Sequence, residues 1–442
     1  MVGIEREIIW SENVRPSSPT PQNLKTYKLP MLDQVVPSIL APITLYFSNT
    51  VEISDHESFI SHTTETLKRS LSLILSRYYP LAGRVGGDGH SIDCNDEGVP
   101  FVVARFKGCS LSDHVLKNPD PNLLCRLLPC DVRWCADHEK GGPHSSVALI
   151  QVNYFDCGGI AVAVVIWHKV VDAVAKCSFI KSWAAAARGS STEAACPNFI
   201  SQALFSHKEE LLKRSVPLSA VLKLGNAVMR RYVFDAAAVS KLKAECGGVE
   251  RPTRVEAVSA HIWKCFMAAS LENNKSFSVL SHVVNLRRRV RPPFPSECFG
   301  NWAAAVGAAS SNEKEADLGV LVRKIRDSIK MVDGDYVDRL RGDGGVSGYQ
   351  ENLGRTWSDV PVGGDGLTIS SLCNSDFYSI DFGWGKPVWL TSPCDSKPQF
   401  VNTVCLMDGR NGDGVEAWVI LHQDYMPVFH QLNHAPNLPS NL

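Results

Sequence analysis

Ile160-Ala-Val-Ala-Val-Val-Ile-Trp-His168-Lys-Val-Val-Asp172 is the stretch on which the fold turns. Its first eight residues, many β-branched, are apolar without a break and stop at a histidine with an aspartate four places on. A run so short and continuous reads as a strand buried on both faces rather than a helix. Downstream, Phe179, Ile180, Trp183 and Ala184 recur at helical spacing. His168 therefore stands where a central strand hands over to a helix, the place where open α/β sheets put their chemistry. An imidazole held there is a natural general base near neutral pH. The same residues also fit a core histidine whose ring is satisfied by the backbone. The spacing does not decide between them: of 13 histidines only His168 has Asp at the fourth position, and one such pair arising by chance is roughly an even bet in a chain of this composition.

The rest of the chain bounds the answer. Its 442 residues suit two domains better than one core. With 45 basic and 46 acidic side chains the net charge is −1, so no broad surface for nucleic acid or anionic membrane is expected. The start, Met1-Val-Gly-Ile-Glu-Arg-Glu, lacks the apolar core of a signal peptide. The apolar region 147–167 is broken by Gln151, Asn153, Asp156 and two glycines, which argues against a membrane span. The 14 cysteines include no C-x-x-C pair, so neither a zinc site nor a dithiol is expected, and a cytoplasmic protein is.

Strands and helices alternate in both halves, which makes the class α/β. Ser54-Asp-His-Glu57 has capping-box spacing and opens an amphipathic helix with Phe59, Ile60, Leu67, Leu71, Ile74 and Leu75 on one face. That helix ends at Tyr78-Tyr-Pro80. From Ala184 to Cys196 hydrophobic periodicity fades, the start of a crossover linker. Then come a strand over 228–234, a helix over 236–245, a second capping box at Thr253-Arg-Val-Glu256 and a strand over 279–286. The Gly- and Asp-rich residues 332–366 read as long surface loops. Two apolar runs around Gly409-Arg-Asn-Gly-Asp-Gly414 form a hairpin signal.

No Walker loop, no G-x-G-x-x-G after a strand and no G-x-S-x-G occurs, so nucleotide hydrolysis, Rossmann redox chemistry and a hydrolase elbow are unsupported. What is present is a set of motifs in a fixed order. His168-Lys-Val-Val-Asp172 and Asp381-Phe-Gly-Trp-Gly385, the second far more specific, resemble the plant BAHD family of acyl-CoA-dependent acyltransferases. Tyr78-Tyr-Pro-Leu-Ala-Gly-Arg84, residues 151–159, Arg254-Val-Glu-Ala-Val-Ser259, Val284-Asn-Leu-Arg287, Phe299-Gly-Asn301 and Asp413-Gly-Val-Glu-Ala-Trp418 resemble it too, spanning almost the whole chain.

The resemblance implies two chloramphenicol-acetyltransferase-like domains of mixed sheets flanked by helices. Residues 1–186 would carry His168, 187–218 would form the crossover, and 219–442 would carry Asp381, with an active-site channel at the domain interface. His168 would take the proton of an acceptor hydroxyl, or amine, as it attacks the thioester of acyl-CoA. No covalent enzyme intermediate, metal or permanent cofactor is implied. Asp172 would hold the catalytic loop rather than relay charge. Asp381, with Gly383 and Trp384 beside it, would be structural and pair with Arg287. Ser259, Asn285, Asn301, Ser370 and Ser371 would contact the CoA co-substrate. The expected partners are acyl-CoA and a small-molecule alcohol, to a monomeric protein.

Departures from the family pattern bear on the acceptor. Ala173 stands where Gly commonly follows the aspartate, and Leu372 and Asn374 replace a usual Trp and Arg. The lost indole removes a donor and reshapes the pocket mouth. Lys25-Thr-Tyr-Lys-Leu-Pro30, Gly385-Lys-Pro-Val-Trp389 and Asp413–Trp418 resemble the branch that acylates alkaloid and related alcohols, where acetyl-CoA is the commonest donor. O-acetylation of an alkaloid or terpenoid hydroxyl is thus the leading expectation. The alternatives are a longer or aromatic acyl donor, an amine acceptor, or a non-catalytic ligand-binding relative.

Overall fold

The computed structural model describes residues 3–48, 55–117, 119–129, 145–190, 194–213, 223–311, 317–342, 344–358, 364–392 and 400–433. The chain forms two compact units. The first gathers Met1–Arg214, Pro295–Asn301 and Ser375–Ser396; the second gathers Ser215–Phe294, Trp302–Asn374 and Lys397–Leu442.

In the first unit, Ile160–Trp167 lies in the middle of a six-stranded sheet with every residue buried. It pairs antiparallel with Ala148–Phe155 on one side and Leu40–Phe47 on the other. Val99–Lys107 runs parallel to Ala148–Phe155, and Glu5–Val14 closes that edge. The opposite edge is Trp389–Thr391, where Trp389 stacks on Tyr46 at 5.1 Å between ring centroids. Helices His56–Leu75 and Ala173–Ala187 pack against each other. The first buries Ile60, Leu67, Leu71, Ile74 and Leu75 of the expected apolar face, while Phe59 is only half-buried. Its cap is Asp55, whose carboxylate accepts from Ser58 N at 3.1 Å; Ser54 lies outside the described residues.

The second unit is built on another six-stranded sheet, in the order Ala227–Phe234, Val415–His422, Thr403–Asp408, Asp365–Ser371, Phe277–Asn285, Ala303–Ser311. Helix Arg254–Glu272 buries Val258, Ile262, Cys265 and Phe266 in the core of this unit. Its capping box is complete: Thr253 accepts from Glu256 N, and Glu256 accepts from Thr253 N at 2.8 Å. The expected hairpin is present, with Thr403–Asp408 antiparallel to Val415–His422.

Two expectations change. Residues 332–366 are not long loops: Gly334–Leu340 and Gly345–Ser358 are helices. Asp333 caps the first by accepting from Tyr336 N, and Tyr336, Val337 and Leu340 are buried, so an aspartate read as loop chemistry is a helix start. The division at 187–218 is also not a single cut. Residues 375–396, which carry Asp381-Phe-Gly-Trp-Gly385, and residues 295–301, which carry Asn301, belong to the first unit. The aromatic side chains of Phe382 and Trp389 dock on its sheet and helix, and that long-range packing overrides sequence order.

Candidate active site

At the end of the central strand, Trp167 N donates to Val147 O at 2.9 Å and His168 N to Ile39 O at 2.8 Å, so both neighbouring segments hold the chain as it leaves the sheet. A tight turn, His168–Val170, follows, and Asp172 then caps helix Ala173–Ala187 by accepting from Ala175 N at 2.9 Å. An N-cap aspartate faces the helix it starts.

His168 is half-buried. Its Nδ1 is sealed from solvent and makes no hydrogen bond among the described residues. Burial holds the imidazole below its ordinary pKa, and the Lys176 ammonium acts in the same direction. Its own main-chain carbonyl, Asp172 and Asn301 pull the other way but do not prevail. The lowered pKa favours the neutral ring at neutral pH. Lys176 is itself buried, its Nζ donating to Ala41 O at 2.7 Å.

Asn301 is brought to His168, not left at a distance. Residues 295–301 cross beside the His168–Val170 turn, with Gly300 bridging to Val171 and Cys298 to Asn198. The Asn301 side-chain Nδ2 donates to His168 O at 2.9 Å and to Asp33 Oδ1 at 2.8 Å. Asn301 N donates to the same Asp33 oxygen at 2.6 Å. Both amide hydrogens of a residue expected to contact CoA are thus used within the fold. Asp33 was not singled out from sequence. It is fully buried, and burial pushes its carboxyl up to about 7 against the pull of the Asn301 donors. The one signal for it was an acidic residue among Met31, Leu32, Val35 and Val36.

Asp381 closes on its own loop. Its Oδ1 accepts from Gly383 N at 2.7 Å and Gly385 N at 3.0 Å, both glycines having positive φ, +109° and +101°. Only glycine enters that region without strain. Arg188 donates to the Asp381 carbonyl. Phe382 and Trp384 stack at 5.4 Å, and Phe382 meets Phe47 and Trp183 edge-on at 5.9 and 4.9 Å. The motif fastens a loop to the strand Leu40–Phe47 and the helix Ala173–Ala187, the two elements that flank His168 in the sheet and follow it in sequence.

The remaining expected residues lie in the second unit. Arg287 is buried against Trp302, its guanidinium 5.8 Å from the ring centroid, and its N donates to Asn285 Oδ1 at 2.9 Å. Ser259 is fully buried on helix Arg254–Glu272, its hydroxyl without a hydrogen-bond partner among the described residues. Ser370 Oγ donates to Val404 O at 3.4 Å, and Ser371 Oγ accepts from Cys373 N at 3.2 Å. His282, missed from sequence, is buried on the strand that carries Asn285, its Nε2 without a hydrogen-bond partner among the described residues and its pKa pushed down to about 4 by burial. Asn374 has a left-handed backbone, φ +62°, and its Oδ1 accepts from Arg254, which also pairs with Asp408. Asparagine tolerates that conformation where an arginine would be strained.

Each unit is built on a mixed six-stranded sheet, and in the first unit His168 follows directly on the central strand. Residues 5–435 match the model of the Transferase family. The chain is 38% identical over 439 residues to an epi-neemfruitin B 7-O-acetyltransferase of Melia azedarach, covering 96% of each protein. It is 36% identical over 431 residues to the stemmadenine O-acetyltransferase of Catharanthus roseus, again 96% of each. The crystal structure of vinorine synthase superposes with a TM-score of 0.79 at 31% identity, over 96% of both chains. TRI101 of F. graminearum, solved with coenzyme A, shares the fold at 18% identity, TM-score 0.70, over 91% of this chain and 96% of that one. The chain belongs to the BAHD family of acyl-CoA-dependent acyltransferases. Acyl-CoA is its co-substrate. Among the described residues no group of three His, Cys, Asp or Glu side chains is placed to hold a metal, and no helix is long and apolar enough to cross a membrane.

Proposed function

We propose that the protein transfers the acetyl group of acetyl-CoA to a hydroxyl of a plant alkaloid or terpenoid, with His168 as general base. The observation that carries this is the His168 imidazole, neutral and anchored through the carbonyl of its own residue. The acceptor O–H gives its proton to the ring as oxygen attacks the thioester carbonyl carbon. The tetrahedral adduct then expels the CoA thiolate, and the imidazolium returns the proton to that sulfur, leaving ester and free CoA. Relatives named for O-acetylation of limonoids and of stemmadenine support the acetyl donor and the acceptor class.

In this reading Asp172, Asp381, Gly383 and Trp384 hold the loops around the base. Ser259, Asn285, Ser370 and Ser371 contact CoA, Ser259 being favoured by its unpartnered hydroxyl. The protein acts as a cytoplasmic monomer. The test is mass spectrometry of purified protein incubated with acetyl-CoA and a pooled panel of alkaloid and terpenoid alcohols. A gain of one acetyl unit on a panel member, absent with His168→Ala, is the expected result. Product only with longer or aromatic acyl-CoAs would overturn the acetyl assignment. No product with any donor would favour a non-catalytic relative.

A further inference from the structure

Two buried side chains, Asp33 and Asn301, form a chain behind His168 that the proton transfer itself does not use. Asp33 sits on the four-residue helix Met31–Gln34, whose start is held by Met31 N donating to Phe205 O at 2.8 Å. The same helix is tied to the catalytic turn, because Lys169 Nζ donates to Gln34 O at 2.8 Å. Asp33 Oδ1 takes both the main-chain and side-chain N–H groups of Asn301, and the second hydrogen of that amide goes to His168 O. With both hydrogens used, the Asn301 amide has one orientation. A buried carboxyl oxygen that accepts two N–H groups from one residue fixes that residue's placement.

We propose that Asp33 is a positioning residue for the transfer: its carboxylate fixes the Asn301 amide, which fixes the His168 carbonyl and with it the ring. The catalytic part of this rests on His168 being the base; the positioning part does not. Asp33 Oδ1 is taken up by the two Asn301 N–H groups, so Asp33 acts through Asn301. A base moved by about 1 Å from a productive pose loses on the order of 100-fold in rate, and a positioning residue acts on kcat rather than on acetyl-CoA affinity.

The test uses the full chain labelled with ¹⁵N-histidine, the His168 ring signals being those lost in His168→Gln. In folded Asp33→Ala and Asn301→Ala the His168 titration midpoint moves to lower pH, since Asn301 favours the charged ring. The double variant shows no further shift, because both changes cut one chain. Asp33→Asn, which keeps an oxygen to accept both N–H groups, stays closer to wild type. On any panel acceptor found, Asp33→Ala lowers kcat about 10- to 100-fold with KM for acetyl-CoA held within about twofold. Wild-type His168 signals in folded Asp33→Ala overturn the proposal. Where Asp33→Ala does not fold, unchanged signals in Asn301→Ala overturn it equally. Full turnover by His168→Ala would instead sink the general-base reading and leave the spectroscopic result to decide the positioning alone.

Discussion

Gly300→Ala tests whether the segment beside His168 is as constrained as its geometry implies. Gly300 has φ +106°, which L residues rarely adopt, and a Cβ built there would lie 3.2 Å from Asp33 Oδ2 and 3.4 Å from Ser201 Oγ. The backbone strain costs ~1–3 kcal/mol. Crowding against two buried oxygens adds about 1 kcal/mol. The sum, about 2–4 kcal/mol, lowers the melting temperature of a unit this size by about 5–15 °C. The variant also displaces Asn301, the next residue, so the rate falls further than stability alone explains. Gly87→Ala, whose Cβ would meet nothing within 4 Å and whose φ is unremarkable, is the control and changes neither quantity. Calorimetric melting beside kcat of the folded fraction measures both effects. Wild-type melting and wild-type kcat in Gly300→Ala would refute the reasoning.

Phe382→Ala removes a buried ring packed on Phe47, Trp183 and Trp384, and costs about 3–5 kcal/mol in urea unfolding; a cost under about 1 kcal/mol would mean that the Asp381 loop is not held by this packing. His282 stays neutral in the folded protein down to about pH 4, whereas its unfolded pKa is about 6.5. Its contribution is therefore complete above about pH 6.5 and is lost as pH falls from there toward 4, by about 3 kcal/mol at most. Urea unfolding at pH 7 and pH 5 should show a fall in wild type that His282→Asn reduces; equal falls would contradict the assignment. The depressed imidazole of His168 likewise places the acidic limb of the kcat/KM profile below the ordinary histidine value, and a limb above about 6.5 would contradict its burial.

Much of this architecture is written in local pattern. The unbroken run ending at Trp167 is a strand because no polar side chain interrupts it, and Thr253 and Glu256 announce a helix through a capping box that closes as expected. What local pattern missed is long-range. Asp381-Phe-Gly-Trp-Gly385 follows the second unit's strand Asp365–Ser371 in sequence, yet its rings dock on Phe47 and Trp183, hundreds of residues earlier. Asn301 stands in a motif that the sequence shows, but its hydrogen-bond partner Asp33 lies 268 positions away and leaves no spacing to read. Asp333 shows the converse error, where a turn-forming residue was the cap of a helix.

The most direct measurement of the central claim is kcat of His168→Ala, with acetyl-CoA and a panel acceptor, on protein whose melting temperature is taken alongside. Removing the general base lowers kcat by about 10²- to 10⁴-fold while melting stays near wild type. Turnover within a few-fold of wild type, in a protein that melts normally, would contradict the claim that this imidazole takes the proton.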